Sequence, residues 1–121
     1  MYEYSATIGR WVDGDTVDLD IDLGFDIILR DQRVRLSGVN TPETRTRDLA
    51  EKARGLAAKE YVNKMAPSGS KVILRTTKYD AKGKFGRILG QILFESGNGK
   101  YVINELLINE GHATEYHGGK R

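Results

Sequence analysis

The run Arg33-Val34-Arg35-Leu36-Ser37-Gly38-Val39-Asn40-Thr41-Pro42-Glu43 carries side chains of three chemically useful kinds. A guanidinium presents a planar fork that matches phosphate oxygens, a geometry lysine does not reproduce. The Asn40 amide and the Thr41 carbonyl are hard oxygen donors of the sort a divalent cation takes. Pro42 biases Thr41 toward an extended backbone. Glu43 is a carboxylate that could accept a proton from water. Upstream, Asp13-Gly14-Asp15-Thr16 adds carboxylates; downstream, Lys84-Phe85-Gly86-Arg87 adds two cations and an aromatic ring. Hydrolysis of a phosphodiester needs charge neutralised on the nonbridging oxygens and a water activated for attack. These residue types supply both.

Each segment also has a plainer explanation. Asp13-Gly14-Asp15 alone is good hairpin chemistry. Asn40 to Glu43 alone reads as a loop leading into a helix, with Glu43 favoured there by the helix dipole. Arg33 and Arg35 share one strand face by period two, and spacing does not separate them. Asp18, Asp20 and Asp22 form an acidic row, but a row along a strand does not converge on a metal. It reads as a solvated face turned away from any anionic substrate. His112 and His117 lie near the chain end and read as surface or end-of-helix residues. Tyr116 offers an aromatic surface for a base, with a surface tyrosine as the equal alternative.

At 121 residues the chain has length for one core, and the expected organisation is a single domain over residues 1–121. Apolar residues at 39% and charged residues at 30% fit a water-soluble globular domain. There is no cysteine, which removes disulfides and thiolate metal sites from consideration. No apolar run reaches membrane-spanning length. Met1-Tyr2-Glu3-Tyr4-Ser5 lacks the apolar stretch of a secretory leader, so a cytoplasmic location is expected unless a leader has been removed. A net charge of +2 permits nucleic-acid binding without requiring it. Distribution says more: Arg30, Arg33 and Arg35 fall in one segment, and Lys78, Lys82, Lys84 and Arg87 in another.

The elements that must position these residues follow from periodicity. Glu3 to Val12 reads as a strand and Asp13-Gly14 as a turn. Val17, Leu19, Ile21 and Leu23 alternate with the aspartates, the pattern of a half-buried strand. Ile27-Ile28-Leu29 and Val34-Arg35-Leu36 form a third strand with a bulge between them. Asp48, with Glu51 three residues on, predicts a helix N-cap of the capping-box type. Leu49, Ala53, Leu56, Ala57, Val62 and Met65 are expected on its buried face, with Gly55 a propensity cost. Pro67-Ser68-Gly69-Ser70 ends the helix. Lys71 to Thr77 and Arg87 to Phe94 read as strands around a polar loop, Tyr79 to Lys84. Ser96 to Gly99 is a turn, and Val102 to Glu110 a final helix stopped by Gly111. The expected core is Val17, Leu19, Ile21, Val34, Leu36, Val39, Val72, Leu74, Ile92 and Leu106. Three strands, helix, two strands, helix suits a β-rich α+β fold: a five-stranded OB-type barrel with helices packed on it.

With the motifs included, the chain from about Ile8 to Ala113 resembles the staphylococcal (thermonuclease-like) nuclease family. That resemblance implies the OB-type barrel and a calcium-dependent nuclease cleaving DNA, RNA or both by in-line water attack, leaving a 3′-phosphate. It maps Asp15, position 40 and the Thr41 carbonyl onto the family's calcium site, and Asp13 near it. Asn40 stands where the family usually carries Asp, which weakens the expected Ca2+ binding. Glu43 becomes the general base, and Arg35 and Arg87 the electrophilic pair, leaving Arg33 to substrate or a salt bridge. Lys84-Phe85-Gly86-Arg87 resembles the family's Lys-Tyr-Gly-Arg, with Lys84 holding a terminal phosphate and Phe85 lacking the phenol. Lys84, Phe85 and Tyr116 are the expected substrate-binding residues. The Met1 start and compact length resemble a stand-alone phage or bacterial type, expected to be a monomer. The alternative is a nucleic-acid-binding OB module that has lost catalysis, favoured by Asn40. A purely structural barrel leaves the clustered residues unexplained.

Overall fold

The computed structural model describes residues 2–79, 88–97 and 99–116. Lys82, Lys84, Phe85, Arg87, Asn98 and His117, the loop from residue 80 and the Lys78 side chain lie outside the described residues.

Strands β1 (Tyr2–Asp13), β2 (Thr16–Gly24) and β3 (Ile27–Leu36) form the expected antiparallel meander. β5 (Lys71–Tyr79) pairs with β1, and β6 (Ile88–Ser96) with β5. Parallel pairing of Val34–Leu36 with Ile88–Gly90 then closes a ring of five strands, the OB-type barrel. The expected bulge is present in β3: Leu19 pairs with Gln32 but Ile21 with Leu29, and Asp31 takes φ 54°. Three short strands were not anticipated. β4 (Val39–Asn40) pairs with β8 (Thr114–Glu115), and β7 (Gly99–Val102) extends the sheet beyond β6. Two-residue strands have no periodicity to detect, so only the fold reveals β4 and β8.

The barrel interior holds Ile8, Val17, Leu19, Val34, Leu36, Val39, Leu74 and Ile92, with Ile21 and Val72 also buried. The alternation in β2 therefore has the expected register. It stops at Leu23, which is exposed because the β2–β3 hairpin runs past the end of the core. Leu106 is a correction. Helix α2 (Ile103–Asn109) turns Ile103 and Leu107, four residues apart on one face, inward and leaves Leu106 half-exposed beside them.

Helix α1 (Leu49–Met65) has the Asp48 cap: its carboxylate accepts from the Ala50 and Glu51 amides at 3.0 and 3.2 Å. The expected buried face holds at Val62 and, in part, at Met65, and is otherwise corrected. Leu49 and Leu56 are exposed, as are Ala53 and Ala57, while Gly55, Ala58 and Val62 are buried. The helix presents the small residues Gly55 and Ala58 where the chain opposite comes too close for larger ones. A β-carbon on Gly55 would sit 2.6 Å from the Glu43 carbonyl oxygen and 2.7 Å from that of Pro42. One on Gly14 would sit 2.9 Å from Ala58 Cβ. At the far end of α1, the buried Trp11 indole donates to the Ala66 carbonyl at 2.9 Å. No helix among the described residues is long and apolar enough to cross a membrane.

Candidate active site

The β1–β2 turn, the end of β3 and the segment after β4 meet beneath the N-terminal half of α1. Asp13, Asp15, Thr16, Arg35, Thr41, Pro42 and Glu43 line one cavity of about 100 Å3 there. Asp15 is buried, yet its carboxylate is fully partnered. One oxygen accepts from the Thr16 hydroxyl at 3.1 Å; the other accepts from the Thr41 amide at 3.1 Å and lies 3.4 Å from Arg35. A buried charge needs such partners, since an uncompensated one costs several kcal/mol, about 3–5 when a partner is removed.

Arg35 is itself only 13% exposed. Its guanidinium donates to the Leu36 carbonyl at 2.8 Å and reaches the Asn40 side-chain oxygen at 3.4 Å. The same nitrogen thus faces both Asp15 and Asn40. Its carbon lies 5.7 Å from the centre of the Tyr116 ring, within cation–π range. Tyr116 is carried there by β8, and its amide donates to the Gly38 carbonyl at 2.9 Å. Arg33 is separated from Arg35 by its partner: it forms a two-pronged pair with Asp18 at 2.8 and 3.0 Å. That pairing lowers the Asp18 pKa, chiefly through the Arg33 hydrogen bonds, and raises that of Arg33.

The segment carrying Glu43 is held at three points. Thr41 donates to Asp15, the Glu43 amide donates to the Glu51 carboxylate at 3.2 Å, and the Thr44 hydroxyl donates to Asp13 at 2.6 Å. Glu51 was expected to close a capping box on Asp48. It reaches instead to Glu43, and the Asp48 amide donates to Thr46. Thr44, Glu51 and Gly55 were not anticipated as site-positioning residues. A glycine inside a helical pattern was the available signal for the last, because a close backbone approach explains such a residue better than a tolerated defect does.

The Asp20 and Asp22 side of the acidic row lines a separate groove of about 680 Å3 with Arg30, Lys71 and Lys100. None of the site residues lines it. The row is not simply solvated, since Asp18 and Asp20 both pair with arginines. His112 stacks at 4.7 Å on Tyr61, away from the cavity.

Residues 33–121 match the family described as staphylococcal nuclease homologue. The chain belongs to that family. It is 30% identical over 119 residues to the Endonuclease YhcR of Bacillus subtilis (strain 168), covering 94% of this chain and 9% of the relative. It is 33% identical over 109 residues to the Thermonuclease of Staphylococcus intermedius, covering 90% of this chain and 58% of that protein. The chain thus spans a small part of the first relative and little more than half of the second. The strand ring agrees with the fold expected for a staphylococcal nuclease homologue.

The donor set can be judged against a hard divalent ion. Asp15, Asn40 and the Thr41 carbonyl offer only oxygen, which suits calcium. Among the described residues no three His, Cys, Asp or Glu side chains converge on a metal site. With an amide at position 40, Asp15 is the one formal charge in the set, and Arg35 lies beside it. The set fits calcium in ligand type and is poor in charge.

Proposed function

We propose that this chain is a calcium-dependent nuclease that hydrolyses phosphodiester bonds of DNA, RNA or both. The observation that carries the proposal is the cavity shared by Asp15, Arg35, Thr41 and Glu43 in a member of a family with nuclease-named relatives. Glu43 is assigned the general base: its carboxylate takes a proton from the attacking water. The water oxygen bonds to phosphorus in line with the bond to the 5′ oxygen, which breaks and leaves phosphate on the 3′ side. Arg35 donates its fork to the nonbridging oxygens, where negative charge grows. Arg87 is assigned the same task from the resemblance; it immediately precedes Ile88, which pairs with Val34 in the strand that holds Arg35. Lys84, Phe85 and Tyr116 are assigned to the substrate strand.

Asp15, Asn40 and Thr41 would hold the calcium ion. When bound, it would supply charge neutralisation at phosphate and orientation of the water. Glu43 is kept at the cavity by the hydrogen bond its backbone amide donates to the Glu51 carboxylate and by the close approach of Gly55.

The second reading is a nucleic-acid-binding module with little or no catalysis. The charge-poor donor set around Asn40 favours it. Incubation with single-stranded DNA and calcium, with the ends of the products identified, separates the two. Calcium-dependent cleavage leaving 3′-phosphate, lost in Glu43→Gln, supports the nuclease. Binding without cleavage at any calcium concentration supports the module.

A further inference from the structure

The β2–β3 hairpin carries an apolar surface that the barrel does not use. Leu23, Phe25, Ile27, Ile28 and Leu29 are all exposed, Phe25 to 97%. Scattered apolar residues on a surface are ordinary; five within seven positions, on both faces of one hairpin, are not. The turn itself is costly. Gly24 pairs with Ile27, so Phe25 and Asp26 form a two-residue turn, and both take positive φ, 55° and 63°. Such turns favour Asn and Gly, and a bulky residue there is an outlier. The ring gains no burial within the chain to offset that cost.

The same segment is an open sheet edge. β3 pairs with β2 along one side, while β6 meets it only at Val34–Leu36. Among the described residues no strand lies on the other side of Ile27 to Arg30. Exposed edges are usually blunted by lysine, proline or a bulge. Here the bulge on β3 comes at Asp31, after the apolar run, and the irregularity between Asp22 and Gly24 lies on the neighbouring strand.

We propose that this edge is the interface of a weak, two-fold symmetric homodimer formed by antiparallel pairing of β3 with β3 of a second copy. The sequence is self-complementary about Ile28. With Ile28 opposite its symmetry mate, Ile27 faces Leu29 and Asp26 falls beside Arg30 of the second copy, twice over. Ile27 and Leu29 continue the core face of the sheet, since Leu29 pairs with the buried Ile21. Two copies therefore join their apolar faces into one four-stranded layer, with Arg30 on its other face and Asp26 level with it at the turn. Arg30 already lies 3.2 Å from Asp20, but a guanidinium has donors to spare for a second carboxylate. A symmetric contact of this kind closes on itself and stops at two copies. The edge is short, so the interface belongs to the small class and association is concentration-dependent. A monomer, expected from sequence, is then the dilute form only. Asp15 and Arg35 lie at the opposite ends of β2 and β3 from the turn, so the proposal does not rest on the nuclease reading.

Sedimentation equilibrium of the 121-residue chain, from low micromolar to near-millimolar concentration, tests this. The expected result is a reversible monomer–dimer equilibrium for the unaltered protein. Ile28→Lys, which sets two cations on the axis, should abolish the dimer while far-UV circular dichroism and thermal unfolding stay unchanged. Asp26→Arg alone should weaken it at least tenfold, and Asp26→Arg combined with Arg30→Glu should restore it. Amide shift changes on dilution should centre on residues 23–31. A protein that remains monomeric throughout overturns the proposal. So does a dimer that survives Ile28→Lys, or a charge swap that fails to restore association in a folded double variant.

Discussion

The carbonyl oxygen of Glu43 lies 2.6 Å from where a β-carbon on Gly55 would be. Helix α1 and the Glu43 segment are therefore in backbone contact, and the hydrogen atom of a glycine is what permits it. Gly55→Ala sets two effects against each other. Helix propensity improves by about 1 kcal/mol, while overpacking against backbone costs about 1–3 kcal/mol. We expect net destabilisation in thermal unfolding and a fall in DNA cleavage larger than that change explains, because Glu43 must move. Unchanged cleavage would mean that this contact does not position the carboxylate.

Glu43→Gln keeps the shape and removes the carboxylate assigned as base. Cleavage should fall by about a hundredfold to ten-thousandfold, with single-stranded DNA binding preserved in fluorescence anisotropy. A parallel loss of binding would assign Glu43 to substrate contact instead.

Asn40→Asp adds a negative charge to the donor set. Calcium affinity, read by calorimetry, should rise, since charge count tunes such sites. The calcium concentration needed for half-maximal cleavage should fall in step. No change in calcium binding would remove position 40 from the site.

Asn104 is buried on α2 and bridges three backbone groups. It accepts from the Ile92 amide and donates to the Ser37 and Gly90 carbonyls at 3.2, 2.8 and 3.2 Å. Asn104→Ala removes that side-chain partner; the Gly90 carbonyl keeps the Ser37 amide, and each buried group left unpaired costs roughly 1–3 kcal/mol. Urea unfolding should show a loss of about 2–3 kcal/mol. A smaller loss would mean that water takes the place of the amide.

The Asp18–Arg33 pair makes stability depend on acid pH. Because Arg33 lowers the folded-state pKa of Asp18, its contribution is full above the ordinary value of 3.8 and is lost as pH falls through the depressed value. Arg33 is nearly half exposed, so the contribution is small, below about 1 kcal/mol. Urea unfolding of Arg33→Gln should lie below that of the unaltered protein at neutral pH and converge with it in strong acid.

What sequence made legible was whatever repeats or caps. Val17, Leu19 and Ile21 declare their face by alternation, and Asp48 declares the start of α1. What it hid was contact between backbones. Val62 was legible on the buried side of α1, but its neighbours there are Gly55 and Ala58, and hydrophobicity cannot find positions whose requirement is smallness. Leu106 and Leu107 are adjacent, and hydrophobicity alone does not say which of two leucines faces the core. At the site, the residue types around Asp15, Arg35 and Glu43 were visible because several segments carried compatible chemistry. Glu51 and Thr44 were not, because their role depends on a loop conformation that no local pattern encodes.

The pairing of β4 with β8 has a consequence for the chain during synthesis. Asn40 lies on a two-residue strand whose partner is Thr114, and Arg35 lies under Tyr116. The ribosome makes Asp15, Arg35 and Glu43 early, but the strand that backs them emerges more than seventy residues after Asn40. A nascent chain therefore carries these residues without their final support while it is still close to messenger and ribosomal RNA. Completion of the cavity therefore waits on a contact between segments more than seventy residues apart, and not on the residues that line it.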